Sequence, residues 1–196
     1  MLLIKTGVIA DLCASCTCLP TSASDYVNKA KNLARDQRLA GMALLTSALA
    51  ELGVADFALS VSPEGKPSLA SLPYHFSLSH SGDLCALALS DSHVGVDLQS
   101  IDRVAAVKDQ AAFAARYFSG AELKAYEISP TPSTLAEIWT RKEALSKLLG
   151  RRLCDSLSSF CSISYGALFE TRRIASPSGE KYLFTAAFLP QTEVES

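Results

Sequence analysis

The most informative stretch of this sequence is TPSTLAEIWTRKEALSKLLG, residues 131–150. Thr131 before Pro132 is typical of a helix start, because proline fits the first helical position, where no amide hydrogen is needed. Gly150 is typical of a helix end, since glycine readily adopts the left-handed conformation that follows a last turn. We therefore predict a helix from Pro132 to Leu149, with the firmest boundaries in the chain.

This helix carries a stripe of chemically interesting side chains. Trp139, Glu143 and Lys147 recur at intervals of four, so they share one helical face. One interpretation is an ordinary helical ion pair beneath a half-buried tryptophan, which stabilises a helix by only tenths of a kcal/mol. The other is an acid and a base that belong to a reactive site, and the rest of the chain must decide between them.

Outward from this helix, the second half of the chain reads as helices followed by strands. Ser119 and Glu122 have the spacing of a capping box, which predicts a helix start. Periodicity predicts further helices at Ala105–Tyr117 and Ala121–Glu127, and strands near Phe160–Tyr165, Leu168–Arg173 and Lys181–Phe188.

The first half shows the same order of elements. Met1–Ala10 reads as a strand, and Ser24 or Asp25 is the predicted cap of one long helix or a broken pair that Gly53 ends. Strand patterns follow at Phe57–Val61, Phe76–Leu78, Leu84–Ser90 and Val94–Leu98, with Asp91 and Ser92 suited to a tight turn between the last two. We predict an α+β fold of two similar lobes, residues 1–93 and 94–196.

Composition narrows the class of protein. The 196 residues are 48% hydrophobic and 19% charged, which suits a globular chain. A net charge of −2 gives no broad basic field for nucleic acid, and no apolar run reaches the roughly 18 residues of a membrane-spanning helix. Cys13, Cys16 and Cys18 have the spacing of half a zinc site without a second half, so we favour reduced thiols and a cytoplasmic protein.

A second candidate site lies in Val94-Gly95-Val96-Asp97-Leu98-Gln99. Strand alternation places Asp97 and Gln99 on one face and Val96 and Leu98 on the other. A carboxylate beside a second oxygen donor suits magnesium, although a lone aspartate after an apolar strand is more often a surface or turn residue.

A third candidate combines a loop and a strand end. Lys66 and Pro67 follow Gly65, and the strand beginning near Phe76 ends in Ser79 and His80. Hydroxyl groups, a histidine and a lysine suit a phosphate, whereas the simpler interpretation is turn serines and a solvated histidine. His75 and His93 are interpreted as structural.

Taken in order, these segments resemble the 4′-phosphopantetheinyl transferases of the Sfp type. The matching stretches are Gly65-Lys66-Pro67, Phe76 to Ser81, Gly95 to Gln99, Phe118 to Glu122, Trp139 to Lys147, and Gly150-Arg151-Arg152-Leu153. The resemblance implies two pseudo-symmetric α+β lobes with coenzyme A in the cleft between them. It also implies a monomer that transfers the phosphopantetheine arm of coenzyme A to a serine of an apo acyl or peptidyl carrier protein.

The same resemblance assigns roles to single residues. It implies that Asp97 and Glu143 hold Mg²⁺ against the pyrophosphate of coenzyme A, that Lys147 contacts the transferred phosphate, and that Glu143 serves as base. The residues expected to bind the nucleotide end are Arg38, Lys66, Pro67, Ser79 and His80.

This chain departs from the family pattern at the metal site. Gln99 stands where the family has a second acid, so we expect a weaker magnesium site with Gln99 or water in that position. Asp102 has the opposite strand parity and is a poor substitute. Two alternatives stay open: a coenzyme A-binding relative without turnover, and an unrelated α+β scaffold in which these residues only pack.

Overall fold

A computed structural model describes residues 1–63, 65–150 and 157–190. The chain divides into two compact units, Met1–His93 and a second unit from Val94 onward. Each contains a three-stranded antiparallel sheet with helices, which confirms the predicted α+β class. Among the described residues, no helix is both long enough and apolar enough to cross a membrane.

The first unit packs one long helix on its larger sheet, and two shorter helices contact that long helix. Its elements are β1 (Leu2–Val8), α1 (Ile9–Ser15), α2 (Thr21–Asn28), α3 (Asn32–Glu51), β2 (Ala58–Val61), β3 (Pro67–Ala70), β4 (His75–Ser81) and β5 (Leu84–Ser90). Strand β5 is central, in the order β1-β5-β4, while β2 and β3 form a separate hairpin. The core joins Met42, Leu45 and Leu49 of α3 to Leu87 and Leu89 of β5.

The second unit places one long helix against its sheet. Its elements are β6 (Val94–Ser100), α4 (Ile101–Ala105), α5 (Gln110–Tyr117), α6 (Gly120–Ile128), α7 (Pro132–Leu148), a 3₁₀ turn (Leu157–Ser159), β7 (Leu168–Ala175) and β8 (Lys181–Phe188). The strand order is β6-β8-β7, and every pair is antiparallel.

The predicted caps of the second unit are confirmed. Ser119 and Glu122 form a complete capping box at the start of α6. The side chain of Thr131 accepts a hydrogen bond from the amide of Thr134, and Pro132 occupies the first turn of α7. These local interactions explain why both helix starts were readable from the sequence.

Three predictions for helices and turns are wrong or incomplete. Ser24 and Asp25 lie inside α2 rather than capping it, and the broken pair of helices is the arrangement found. The helix expected over Ala105–Tyr117 begins only at Gln110, where the side chain of Asp109 caps it, and Ala105 is the last residue of the separate helix α4. Sequence analysis also missed α1 and β3.

Two strand predictions also fail. Phe160–Tyr165 forms no strand, and only the 3₁₀ turn at Leu157–Ser159 precedes it. Asp91 and Ser92 do not join a hairpin, because β5 pairs with β1 and β4 whereas β6 pairs with β8. The hairpin partner of β5 is β4, across the turn at Gly82 and Asp83.

Candidate active site

The second unit brings β6 and α7 into backbone contact at Gly95. A β-carbon built on Gly95 would lie 2.0 Å from the carbonyl oxygen of Ala144 and 2.5 Å from the amide nitrogen of Leu148. Both atoms are backbone, so any side chain at this position would push strand and helix apart. Asp97 and Gln99 share the face of Gly95, and that face of the strand therefore looks toward α7.

A pair of threonines shows the same orientation on the neighbouring strand. Thr185 of β8 lies opposite Asp97 in the sheet register. Its hydroxyl oxygen is 3.0 Å from that of Thr140 on α7, and both residues are fully buried. The polar face of the sheet is thus fixed against the helix beside Asp97.

Asp97, Glu143 and Lys147 converge at this contact. The ammonium nitrogen of Lys147 lies 2.8 Å from a carboxylate oxygen of Asp97, whose side chain is only 2% exposed. The carboxyl group of Glu143 is close enough to Asp97, Lys147 and Trp139 for each of them to shift its pKa. The stripe predicted from the spacing of α7 is therefore joined to the aspartate predicted from β6.

Electrostatics at Glu143 set it apart from an ordinary surface acid. Burial and the nearby charge of Asp97 raise the pKa of Glu143 to about 8, although the ammonium of Lys147 acts in the opposite direction. With no cation bound, Glu143 thus keeps its proton near neutral pH. Strongly shifted acids of this kind concentrate at functional sites.

The donor set fits a magnesium ion. Two carboxyl groups that face each other in a buried site leave a position where a cation would remove their repulsion, and Mg²⁺ commonly uses one or two carboxylates plus waters or phosphates. Gln99, on the same strand face, offers a neutral amide oxygen. The described residues contain no group of three or more His, Cys, Asp or Glu around one point.

An apolar cavity adjoins this site. It has a volume of about 130 Å³, and Gln99 and Trp139 both line it together with Arg103, Phe113 and Leu135. Trp139 stacks edge-on against Phe113 at 4.8 Å between ring centroids. The ring of Trp139 therefore forms a wall of the cavity, one helical turn from Glu143 on α7.

Comparison with known proteins places the chain in a family. A family model described as the 4′-phosphopantetheinyl transferase superfamily matches residues 93–193, just over half of the 196 residues. The chain belongs to this superfamily. The resemblance inferred from the ordered motifs is thereby confirmed.

Named relatives of the superfamily agree with that membership. The 4′-phosphopantetheinyl transferase psf-1 of Bacillus pumilus is 37% identical over 100 residues, covering 49% of this chain and 41% of the relative. The transferase AcpT of Escherichia coli K12 is 37% identical over 118 residues, covering 59% of this chain and 58% of AcpT. The AcpT protein of Salmonella typhimurium is 37% identical over 114 residues. The chain thus aligns with about half the length of these relatives.

The region matched to the superfamily contains one part of the predicted site and not the other. Asp97, Gln99, Glu143 and Lys147 all lie within residues 93–193. The predicted nucleotide-binding residues precede that region: Arg38, Lys66, Pro67, Ser79 and His80.

In the first unit, the predicted nucleotide-binding residues occupy three different elements. Arg38 of α3 donates a hydrogen bond to the carbonyl oxygen of Tyr26 at 2.8 Å and lies 4.4 Å above the ring of Tyr26. Lys66 precedes Pro67, the first residue of β3. Ser79 is buried and His80 exposed on β4, where neighbouring residues project to opposite faces.

Other residues singled out in the sequence have simpler surroundings. The rings of His75 and His93 are in contact, with centroids 4.1 Å apart. The thiol of Cys13 donates a hydrogen bond to the carbonyl oxygen of Asp36, and Cys13, Cys16 and Cys18 are free thiols. The tail motif residues Arg151, Arg152 and Leu153 lie outside the described residues.

Sequence analysis missed a second ion pair on α7. Lys142 and Glu122 are both completely buried, and the ammonium nitrogen lies 2.6 Å from a carboxylate oxygen. Both lie in the region matched to the superfamily, but the sequence analysis assigned Glu122 only to a helix cap and gave Lys142 no role. The sequence signal that pointed to this ion pair was the capping box. It placed Glu122 at a helix start, but it did not identify the other partners of the carboxylate.

Proposed function

We propose that this protein transfers the 4′-phosphopantetheine arm of coenzyme A to a serine of an apo acyl or peptidyl carrier protein. The observation that carries the proposal is the convergence of Asp97, Glu143 and Lys147, with the ammonium of Lys147 2.8 Å from Asp97. These are the residue types that phosphoryl transfer requires, and they lie in the region matched to the superfamily.

The proposed reaction exchanges one phosphorus–oxygen bond for another. The serine oxygen of the carrier bonds to the phosphorus that bears the pantetheine arm, the bond to the second phosphate breaks, and adenosine 3′,5′-bisphosphate leaves. The serine proton goes to a base. Because there is no redox change, what the protein must do is position the reactants and neutralise charge.

Each side chain has a role in this proposal. Lys147 is the mobile cation for the transferred phosphate, and Asp97 orients it. Glu143 in its ionised form accepts the serine proton, directly or through a water, a contribution on the order of a hundred- to ten-thousandfold. Mg²⁺ held by Asp97 and Glu143, with Gln99 or water beside them, would supply charge neutralisation at the pyrophosphate.

We assign the nucleotide end of coenzyme A to the first unit. Lys66 with Pro67, and His80 with Ser79, are the proposed partners of its phosphate and adenosine, and Arg38 assists. Support comes from residue chemistry, since the lysine is a cation and the serine and histidine carry hydrogen-bonding groups suited to phosphate. Arg38 already donates a hydrogen bond to the carbonyl oxygen of Tyr26.

The apolar cavity is the proposed binding place for part of the pantetheine arm. It borders Trp139, which lies one helical turn from Glu143, so a chain that enters the cavity lies near the proposed base. Its lining is mainly apolar, as suits the hydrocarbon portions of the arm, while Gln99 offers an amide to the amide groups of the arm.

The deciding experiment incubates the protein with coenzyme A, Mg²⁺ and a panel of apo carrier proteins. Mass spectrometry is expected to show the mass of the phosphopantetheine arm added to a carrier serine, with no addition in the presence of a chelator. Glu143→Gln is expected to abolish the gain, whereas Glu137→Gln, in a partly exposed ion pair with Arg141 on the same helix, is expected to retain it.

A second candidate function is supported by Gln99. Replacing an acid at the metal site favours a coenzyme A-binding relative without turnover. Its signature is coenzyme A binding measured by calorimetry with no modification of any carrier in the panel, and that result would overturn the proposed transfer.

A further inference from the structure

The carboxylate of Glu122 is the most densely hydrogen-bonded group described in the second unit. One oxygen accepts from the amide and hydroxyl of Ser119 and from the ammonium of Lys142, at 2.8, 2.8 and 2.6 Å. The other accepts from the amide and hydroxyl of Ser162, at 2.8 and 2.6 Å. The Lys142 ammonium also donates to the carbonyl oxygen of Phe160 at 2.7 Å.

This cluster connects three pieces of the chain. Glu122 begins α6, Lys142 lies in the middle of α7, and Phe160 and Ser162 belong to the irregular segment after the 3₁₀ turn. A buried ion pair of this kind is weak evidence for stability, because an apolar pair of the same volume often stabilises a protein as well or better. An apolar pair lacks the directionality of these hydrogen bonds. The distinctive effect of the ion pair is therefore to fix the relative orientation of the segments that it joins.

That geometry bears on Glu143, the next residue of α7. Successive helical residues are about 100° apart around the axis, so an anchor on Lys142 also fixes the direction in which Glu143 points. A second anchor is the backbone contact of Gly95 with Ala144. Two anchors that lie on different faces leave α7 little freedom to rotate or slide along β6.

We propose that Glu122 and Lys142 form a positioning pair, which fixes the rotation of α7 and the path of residues 160–162 and so holds Glu143 against Asp97. The catalytic consequence of this pair depends on the transferase function proposed above. Its structural consequence, the orientation of α7, does not.

The test replaces both charges at once. Glu122→Gln with Lys142→Met keeps side-chain volume and some of the hydrogen bonds to Ser162 but removes the ion pair, and removing both partners avoids an unpaired buried charge. The matched control is Glu137→Gln with Arg141→Met, which removes a partly exposed ion pair from the same helix. Circular dichroism and thermal unfolding establish that both double variants fold.

We expect the kinetic effect to fall on turnover. The positioning variant is expected to lose about 10- to 100-fold in kcat, as small misplacements of reacting groups do. Its KM for coenzyme A is expected to change less than about threefold, because no proposed binding residue is altered. The control is expected to keep both constants. A folded positioning variant with the kcat of the wild type would overturn the proposal.

Trp139 supplies a readout that does not require activity. It is the only tryptophan of the chain, and it lies one helical turn from Glu143 and three residues from Lys142 on α7. Its emission spectrum and near-ultraviolet circular dichroism are expected to change in the positioning variant and to stay unchanged in the control. If the wild type modifies no carrier, the proposed function fails, while this signal still decides whether the pair orients α7; an unchanged signal would overturn the proposal.

A milder variant covers the case in which the double variant does not fold. Ser162→Ala keeps the ion pair and removes one hydroxyl bond that ties the irregular segment to Glu122. We expect a fall in kcat of roughly threefold to tenfold with KM unchanged, because positioning is loosened and not lost. Wild-type kcat with an unchanged Trp139 spectrum in this variant would overturn the proposal.

Discussion

Glu122 is fully buried against α7 and Glu143 is a half-buried residue of α7, yet the pKa values of these two acids are shifted in opposite directions. Burial would raise the pKa of both. For Glu122, hydrogen bonds from Lys142, Ser162 and Ser119 outweigh burial and lower the pKa below its usual range. For Glu143, the charge of Asp97 adds to burial, and the pKa rises to about 8.

In the proposed function, this difference separates a structural acid, Glu122, from a reactive one, Glu143. Glu122 has its charge matched by donors from three segments, so its ionised form suits the folded state. Glu143 faces another carboxylate, and its ionised form is unfavourable until a cation arrives. Two facing carboxyl groups destabilise the fold when both are ionised, and a bound cation would remove that repulsion. Such an arrangement is expected at functional sites, where the needs of function oppose those of stability.

The largest expected effect on stability comes from removing the ammonium group of Lys142, which donates to Glu122. Lys142→Met leaves a buried carboxylate without its ammonium partner, and removing one member of a buried pair costs about 3–5 kcal/mol. We expect a loss of that size in the free energy of unfolding, measured with urea. Arg141→Met on the same helix is the control and is expected to cost about 1 kcal/mol or less. Equal losses in the two variants would show that Glu122 is not stabilised as described.

Removing the charge of Glu143 is expected to have the opposite effect on stability. Glu143→Gln relieves repulsion with Asp97, so the free energy of unfolding near pH 8 is expected to rise by roughly 1 kcal/mol or more without metal. Carrier modification is expected to fall at least about 100-fold, because base and metal ligand are lost together. A variant that is less stable than the wild type would contradict the strained-acid interpretation.

A pH series tests the sign of the shift at Glu143. Its folded pKa of about 8 lies above the ordinary value for a free glutamate, so the folded state holds the extra proton. Stability from this group is complete below the unfolded pKa and is lost as the pH rises through about 8, at up to about 1.4 kcal/mol per pH unit. Urea unfolding with a chelator present measures it, and Glu143→Gln is expected to lack that slope. Parallel curves for the two proteins would refute the shift.

Much of the second unit was predictable from its sequence because local signals marked it. Strand β8 has the predicted bounds Lys181–Phe188, and α7 begins at the predicted Pro132. Phe160–Tyr165 was misread as a strand because its alternating apolar residues imitate one. In the structure, the backbone of this segment instead hydrogen-bonds the buried ion pair: the carbonyl of Phe160 accepts from Lys142, and the amide of Ser162 donates to Glu122.

The candidate site was predictable as a set of residues but not as an electrostatic system. Strand parity and helical spacing placed Asp97 and Glu143 on faces that could meet. The backbone contact at Gly95 and the role of Lys142 were not readable, because both depend on how α7 packs on the sheet. A pKa shift depends on burial and on neighbours from distant segments, which spacing does not reveal.

The contrast between Glu122 and Glu143 can be tested further by adding a third acid beside Glu143, at position 99. Gln99→Glu is expected to bind Mg²⁺ on the order of tenfold more tightly, measured by calorimetry, because it adds a charged oxygen ligand. The metal-free variant is expected to be less stable, since repulsion with Asp97 and Glu143 increases. Gln99→Asn serves as the control and should not strengthen binding. Unchanged affinity in Gln99→Glu would place this position outside the metal site.

The smallest effect concerns Cys161, which lies between the two residues that bond the buried pair. Burial would raise the pKa of its thiol, but hydrogen bonds from Ser119 and Ser164 and the amides of Ile163 and Ser164 lower it. For Cys13, burial raises the pKa and no comparable set of donors opposes it.

Because the thiolate is the reactive form, we expect iodoacetamide to modify Cys161 a few-fold faster than Cys13, as followed by mass spectrometry of quenched samples. Ser119 also bonds Glu122, so Lys142→Met is expected to narrow this difference by loosening the donors they share. Equal modification rates in the folded wild type would mean that the donors around Cys161 are not held in place. That result would also count against the fixed hydrogen-bond geometry described for Glu122.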